Sequence, residues 1–163
     1  MPPPHSLGRQ IAWLVGLCVL CFGAAYVGGQ ITAQSVEGWY RTLEKPTWTP
    51  PDWLFAPVWL TLYASMALAA WLVWKQCGWP IAARPLLIFV IQLILNVGWS
   101  FCFFGLRNPQ LAMVEIVVLW LAILFTTVVF WRQSRVAGIL LVPYLLWTTF
   151  AATLNLSICR LNS

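Results

Sequence analysis

The 163-residue chain is 61% hydrophobic and only 8% charged, whereas a soluble domain carries roughly 25% charged residues to keep its surface wet; this is the composition of an integral membrane protein. Nine Lys and Arg against four Asp and Glu give a formal charge of +5, but the basic residues stand singly, which excludes the clustered phosphate-binding patch of a nucleic-acid partner. Five Cys, most of them inside apolar runs, define no disulfide framework.

The charges cut the chain into five long apolar intervals, bounded by Arg9 and Glu37, Asp52 and Lys75, Arg84 and Arg107, Arg107 and Arg132, and Arg135 and Arg160. Each can hold the ~20 residues that cross a bilayer as a helix. Spans are predicted at about 11–30, 54–74, 86–104, 111–131 and 136–158. Only helices satisfy their own backbone in lipid, and the links after the second, third and fourth spans are short. The expectation is an all-α membrane protein, one domain over residues 1–163, folded as a single bundle of five transmembrane helices.

The first span is longer than a signal-peptide core, so it reads as an uncleaved helix. It carries Ala12 and Gly16, then Ala24 and Gly28, two small-x-x-x-small pairs that allow close helix approach within the bundle or between subunits of a homodimer. Its Cys18 and Cys21 spell C-x-x-C without a second ligand pair or a nearby His, so packing suits them better than a metal site. Arg9, Lys75, Arg84, Arg132 and Arg135 fall on one side of the membrane and Arg41, Lys45, Arg107 and Arg160 on the other. That bias leans toward a cytoplasmic N-terminus.

The only long connection, Thr32 to Trp53, holds Trp39, Trp48, Trp53, Tyr40 and the prolines Pro46, Pro50 and Pro51. Long irregular loops commonly serve as lids or binding segments, and proline restricts both itself and the residue before it. The loop is expected to fold over one mouth of the bundle as a lid; the alternative is an aromatic belt at headgroup level.

Within the spans, helical spacing aligns polar and aromatic side chains. Phe55, Trp59, Tyr63 and Met66 share a stripe on the second span, Gln92, Asn96 and Trp99 on the third, and Tyr144, Trp147, Ala151 and Asn155 on the fifth. Such faces serve helix packing, or, where they converge at one depth, a ligand pocket. Glu115 is the one acid inside a span, open to a proton or cation role or to simple snorkelling. The single His, His5, lies in a Pro-rich tail, and no Ser-His-Asp set, carboxylate pair or phosphate loop is present, so hydrolase chemistry has no residues to run on.

The strings WYRTLEKPTWTPP (39–51), FAPVWLTLY (55–63), NVGWSFCFFG (96–105) and PYLLWTTFAATLN (143–155) resemble the tryptophan-rich sensory protein or translocator protein family, which includes the mitochondrial peripheral benzodiazepine receptor. The resemblance, to a bacterial-type member, implies a multi-pass protein of a bacterial membrane, commonly dimeric, with a porphyrin-binding pocket capped by the first loop. The candidate ligand-binding residues are then Trp39, Tyr40, Pro51, Phe55, Trp59, Tyr63, Asn96, Trp99, Trp147, Ala151 and Leu154. Some members are linked to light-dependent porphyrin breakdown involving pocket tryptophans, which by motif would make Trp59 and Trp147 catalytic. Animal members carry a cholesterol-recognition pattern after the last helix, but here Leu156 and Ser157 stand where aromatic residues would be, which weakens a sterol partner. A loose version at Val36, Tyr40 and Lys45 matches a pattern too common to weigh.

The leading expectation is a membrane protein that binds and senses a tetrapyrrole. A protoporphyrin IX-like ligand would stack on Trp59 and Trp147, take an amide contact from Asn96 and pair its propionates with Arg41 or Lys45. The alternatives are a photo-oxidative porphyrin-degrading enzyme, distinguished by bleaching of the bound pigment over many turnovers, and a porphyrin or sterol carrier. No metal and no required cofactor is expected: with His5 in the tail, haem would lack an axial His.

Overall fold

The computed structural model describes residues 6–79 and 81–162; His5 lies outside them. Among the described residues, five helices are long and apolar enough to cross a membrane. They are α1 (Leu7–Val36), α3 (Phe55–Cys77), α4 (Ala83–Ser100), α5 (Pro109–Gln133) and α6 (Arg135–Leu161), with a short α2 (Trp39–Thr42) and a 3₁₀ turn (Asp52–Leu54) in the first loop. Packing order around the bundle is α1, α3, α6, α5, α4 and back to α1. Ile94, Leu121, Phe125 and Leu146 are among the large apolar side chains left exposed on its outside, as lipid contact requires.

With the flanking 3₁₀ and π-helical turns counted, every span runs past its predicted ends, most of all α1, which continues through residues 31–36, expected as loop. Gln30, Thr32, Gln34 and Ser35 read as the end of an apolar run, yet the helix has local reasons to continue. The Thr32 hydroxyl donates back to the Gly28 carbonyl at 2.9 Å. The buried Ser35 hydroxyl donates to the Phe104 carbonyl at 2.7 Å. That carbonyl belongs to a π-helical turn, Phe101–Gly105, which ends the third span; such turns interrupt the regular hydrogen-bond ladder and recur at functional sites.

The other helix ends follow from single residues. Gly78, at φ 66°, stops α3 in the left-handed region, where glycine carries no Cβ penalty. Asn108 caps α5, its side chain accepting from the Leu111 N–H at 2.9 Å, with Pro109 in the first turn, a position where the missing N–H is harmless. Between α5 and α6 only Ser134 intervenes, in extended conformation. Gly138 makes that tight hairpin possible, because a Cβ there would sit 2.9 Å from the Trp131 Cα.

At the N-terminal end of the bundle α1 is tied to α3: the Trp71 indole donates to the Gln10 carbonyl at 3.0 Å, and Trp13 stacks on Trp74 at 5.0 Å. Farther along, α1 meets α4 instead, with Gly28 against Ser100 and Ile31 beside Gly105. The space left among α1, α3, α4 and α6 at the loop end is the cavity described next.

Candidate functional site

The cavity encloses about 470 Å³, within the 300–1,000 Å³ range of small-molecule sites. The three stripes expected from helical spacing all reach it. Phe55, Trp59 and Tyr63 come from α3, Asn96 and Trp99 from α4, and Trp147, Ala151, Leu154 and Asn155 from α6. The π-helical turn adds Phe103 and Phe104, and Tyr40 of α2 closes the loop side. Met66 and Gln92, one turn deeper on their stripes, are fully buried below it instead, with the Gln92 amide 3.9 Å from the Met66 sulfur. Cys102 is likewise outside the lining.

The rings form a connected wall. Trp59 lies 5.8 Å from Tyr63 and 6.2 Å from Tyr144; Phe55 meets Trp147 edge-on at 5.8 Å, Trp147 tilts against Phe150 at 5.2 Å, and Trp99 stacks on Phe103 at 5.3 Å. Offset and edge-on pairs of this kind are the favoured aromatic geometries.

The two asparagines bind the helices together. The Tyr63 hydroxyl donates to Asn96 Oδ1, and Asn96 Nδ2 donates to the Tyr144 hydroxyl at 2.9 Å, so one amide joins α3, α4 and α6. Asn155 accepts from the Trp99 indole at 3.2 Å and donates to the Pro109 carbonyl at 2.9 Å, joining α4, α5 and α6. Asn96, expected to offer its amide to a ligand, lines the cavity and spends its oxygen and one N–H on protein partners. The Trp147 indole nitrogen, in contrast, is buried without a partner.

The loop is fastened at several points. Asn162, just past α6, accepts from the Glu44 N–H at 3.0 Å and donates to the Glu44 carbonyl at 2.9 Å. Trp48 meets Phe150 edge-on at 5.8 Å, and Trp39 packs on Phe103 at 5.7 Å. Trp53 is 71% exposed. The three loop tryptophans thus divide: two dock on the bundle, and one points outward as a belt residue does. Trp39 and Pro51 stand outside the cavity lining, while Asp52, unremarked in the sequence except as a boundary, is part of it. Tyr40 is buried, and that burial, with the Asp52 carboxylate as a second cause, pushes its phenol up to about 12. It remains a protonated hydrogen-bond donor at neutral pH. Lys45, expected to pair with propionates, instead gives its ammonium to the Tyr40 carbonyl at 2.7 Å and the Leu43 carbonyl at 3.3 Å.

Glu115 lies away from the cavity, its carboxylate oxygens buried without a partner and facing Gly98. Cys18 and Cys21 are free thiols, and no group of three His, Cys, Asp or Glu suited to a metal ion occurs among the described residues.

The model of the TspO/MBR family matches residues 14–161. The chain is 42% identical over 161 residues to the tryptophan-rich protein TspO of Chlorobaculum tepidum, an alignment covering 96% of this chain and 99% of that one. It is 40% identical over 169 residues to the human translocator protein, covering 99% and 94%, and 39% identical over 126 residues to the tryptophan-rich sensory protein of Cereibacter sphaeroides, covering 77% and 78%. Five apolar spans and a match from the first helix to the last agree: the chain belongs to the TspO/MBR family of membrane proteins.

Proposed function

We propose that the protein is a receptor for a flat, apolar tetrapyrrole of the protoporphyrin type, held between Trp59 and Trp147 and covered by the first loop. One observation carries this reading: the cavity wall is aromatic on three helices, while the polar groups of Asn96, Tyr63 and Asn155 are bonded to one another or to backbone. A planar π-system matches that wall, because ring faces gain most from stacking. Met66 and Cys102 stand outside the lining and the Tyr63 hydroxyl is engaged by Asn96, so in this reading the affinity comes from stacking on the aromatic wall.

Titration with protoporphyrin IX in lipid nanodiscs tests it. Saturable quenching of tryptophan fluorescence is expected, with Trp59→Phe and Trp147→Phe each losing more of the quenching than Trp13→Phe, whose ring stacks on Trp74 at the far end of the bundle. Equal losses at all three positions would reject the site.

The same reading places the receptor in a bacterial membrane as a homodimer. Similarity to bacterial relatives supports the first. For the second, Ala12 and Gly16 line a shallow groove on α1 with Trp13, Leu17 and Leu20, and a side chain at Gly16 would meet only open space. Small residues of this kind let a second helix approach closely. Cross-linking in lipid vesicles is expected to trap a dimer, and Gly16→Leu to reduce it; only monomer from the wild type would oppose the assembly.

A further inference from the structure

The end of the bundle opposite the cavity carries cations and no acid. Arg9 lies in the first turn of α1, Lys75 in the last turn of α3 and Arg84 in the first turn of α4, while Arg132 and Arg135 flank Ser134 in the α5–α6 hairpin; all of these cations are exposed. Three of the four acids in the chain, Glu37, Glu44 and Asp52, belong to the first loop at the other end, and the fourth, Glu115, is on the loop-end half of α5. The cations of this end therefore have no acid within reach to pair with.

The hairpin adds a second feature. Arg132 heads a stripe of exposed apolar side chains, Val128, Phe125 and Leu121, and Arg135 heads another, Ile139, Val142 and Leu146; their spacing keeps each set on one face of its helix. From Arg135 to Leu146 the helix rises about 16 Å, roughly half of the ~30 Å hydrocarbon thickness, so each stripe runs from headgroup level to the midplane, the reach of one acyl chain. Trp131, exposed beside Arg132, marks the headgroup level, where indoles concentrate. The hairpin is also fixed in place: the Cys77 thiol at the end of α3 donates to Gln133 Oε1 at 3.1 Å.

We infer that the α5–α6 hairpin is a binding site for an anionic phospholipid, with Arg132 and Arg135 on the headgroup phosphate and the acyl chains laid along the two stripes. Guanidinium groups stay charged and take phosphate oxygens two at a time. A zwitterionic headgroup brings its own ammonium to this acid-free surface and gains less than a headgroup of net negative charge. A soluble polyanion would satisfy the arginines and leave the apolar stripes unused, whereas a lipid uses both. Each basic residue near the surface is worth about fivefold in affinity for an anionic lipid. The site is separate from the cavity and independent of the ligand held there.

The test incubates the full-length protein in detergent with equal amounts of dioleoylphosphatidylglycerol and dioleoylphosphatidylcholine and counts the retained lipids by native mass spectrometry. The wild type is expected to retain phosphatidylglycerol preferentially, and Arg132→Gln with Arg135→Gln to lower that preference roughly 20-fold to 30-fold, the product of two such residues. Arg132→Lys with Arg135→Lys keeps the charge and is expected to stay within about threefold of the wild type. Arg41→Gln with Arg107→Gln removes the same charge at the loop end, more than a Debye length away, and is expected to change the preference by less than about twofold. Equal retention of the two lipids by the wild type overturns the proposal, as does an equal loss in the two Gln pairs, which would make the preference an effect of net charge. Displacement of the phosphatidylglycerol by glycerol 3-phosphate or polyglutamate at equal concentration would show an anion site in which the stripes play no part, and it too overturns the lipid assignment.

Discussion

Asn96→Leu is expected to destabilise the bundle by about 2–4 kcal/mol, because it leaves the hydroxyls of Tyr63 and Tyr144, residues that are 5% and 0% exposed, without their partner. An interhelical hydrogen bond in a membrane protein averages only about 0.6 kcal/mol, so the bonds themselves are the smaller part of this. The larger part is the orphaning of buried polar groups, each costing roughly 1–3 kcal/mol. The distinction has a consequence: removing all three polar groups together, as Tyr63→Phe, Asn96→Leu and Tyr144→Phe, is expected to recover most of the loss. Unfolding in mixed micelles, followed by far-UV circular dichroism, measures both. A single variant as stable as the wild type would show that the three side chains do not form one unit.

The second large effect concerns ligand release. Pro50→Gly and Pro51→Gly each free the open loop by roughly 0.4–1 kcal/mol. Asn162→Ala removes two bonds to the Glu44 backbone, worth roughly 0.5–1.5 kcal/mol each. The three changes together are expected to speed protoporphyrin dissociation about 30-fold, the equivalent of ~2 kcal/mol, with association changed far less, as is usual within one interface. Stopped-flow displacement gives both rates. Dissociation within twofold of the wild type would make the loop a membrane-surface element with no lid function.

The long spans were legible because charged residues are excluded from hydrocarbon and so bracket each helix; Arg9, Asp52, Lys75 and Arg84 are informative for that reason alone. The stripes on the second, third and fifth spans were legible through helical periodicity, which brings Trp59, Asn96 and Trp147 to one cavity. The end of α1 was not, since a helix that leaves the hydrocarbon is free to continue in polar residues. Its extension rests on Ser35 meeting a carbonyl exposed by a π-helical turn, and the string FCFFG carries no evident mark of that turn. Nor does composition say where an amide points: Asn96 and Asn155 read equally well as ligand contacts and as helix ties. Lys45 and Asp52 exchange importance for the same reason. Each was a charge in a loop, and only the folded loop turns one toward its own carbonyls and the other toward the cavity.

The claim that a planar ligand lies between Trp59 and Trp147 is tested most directly by a crystal structure of the protein with a bromine-substituted porphyrin, located by the anomalous signal of bromine. The expected result is anomalous density inside the cavity, with the macrocycle in van der Waals contact with both indoles. Bromine density on the lipid-facing surface of α1, with the cavity filled by other groups, would contradict it.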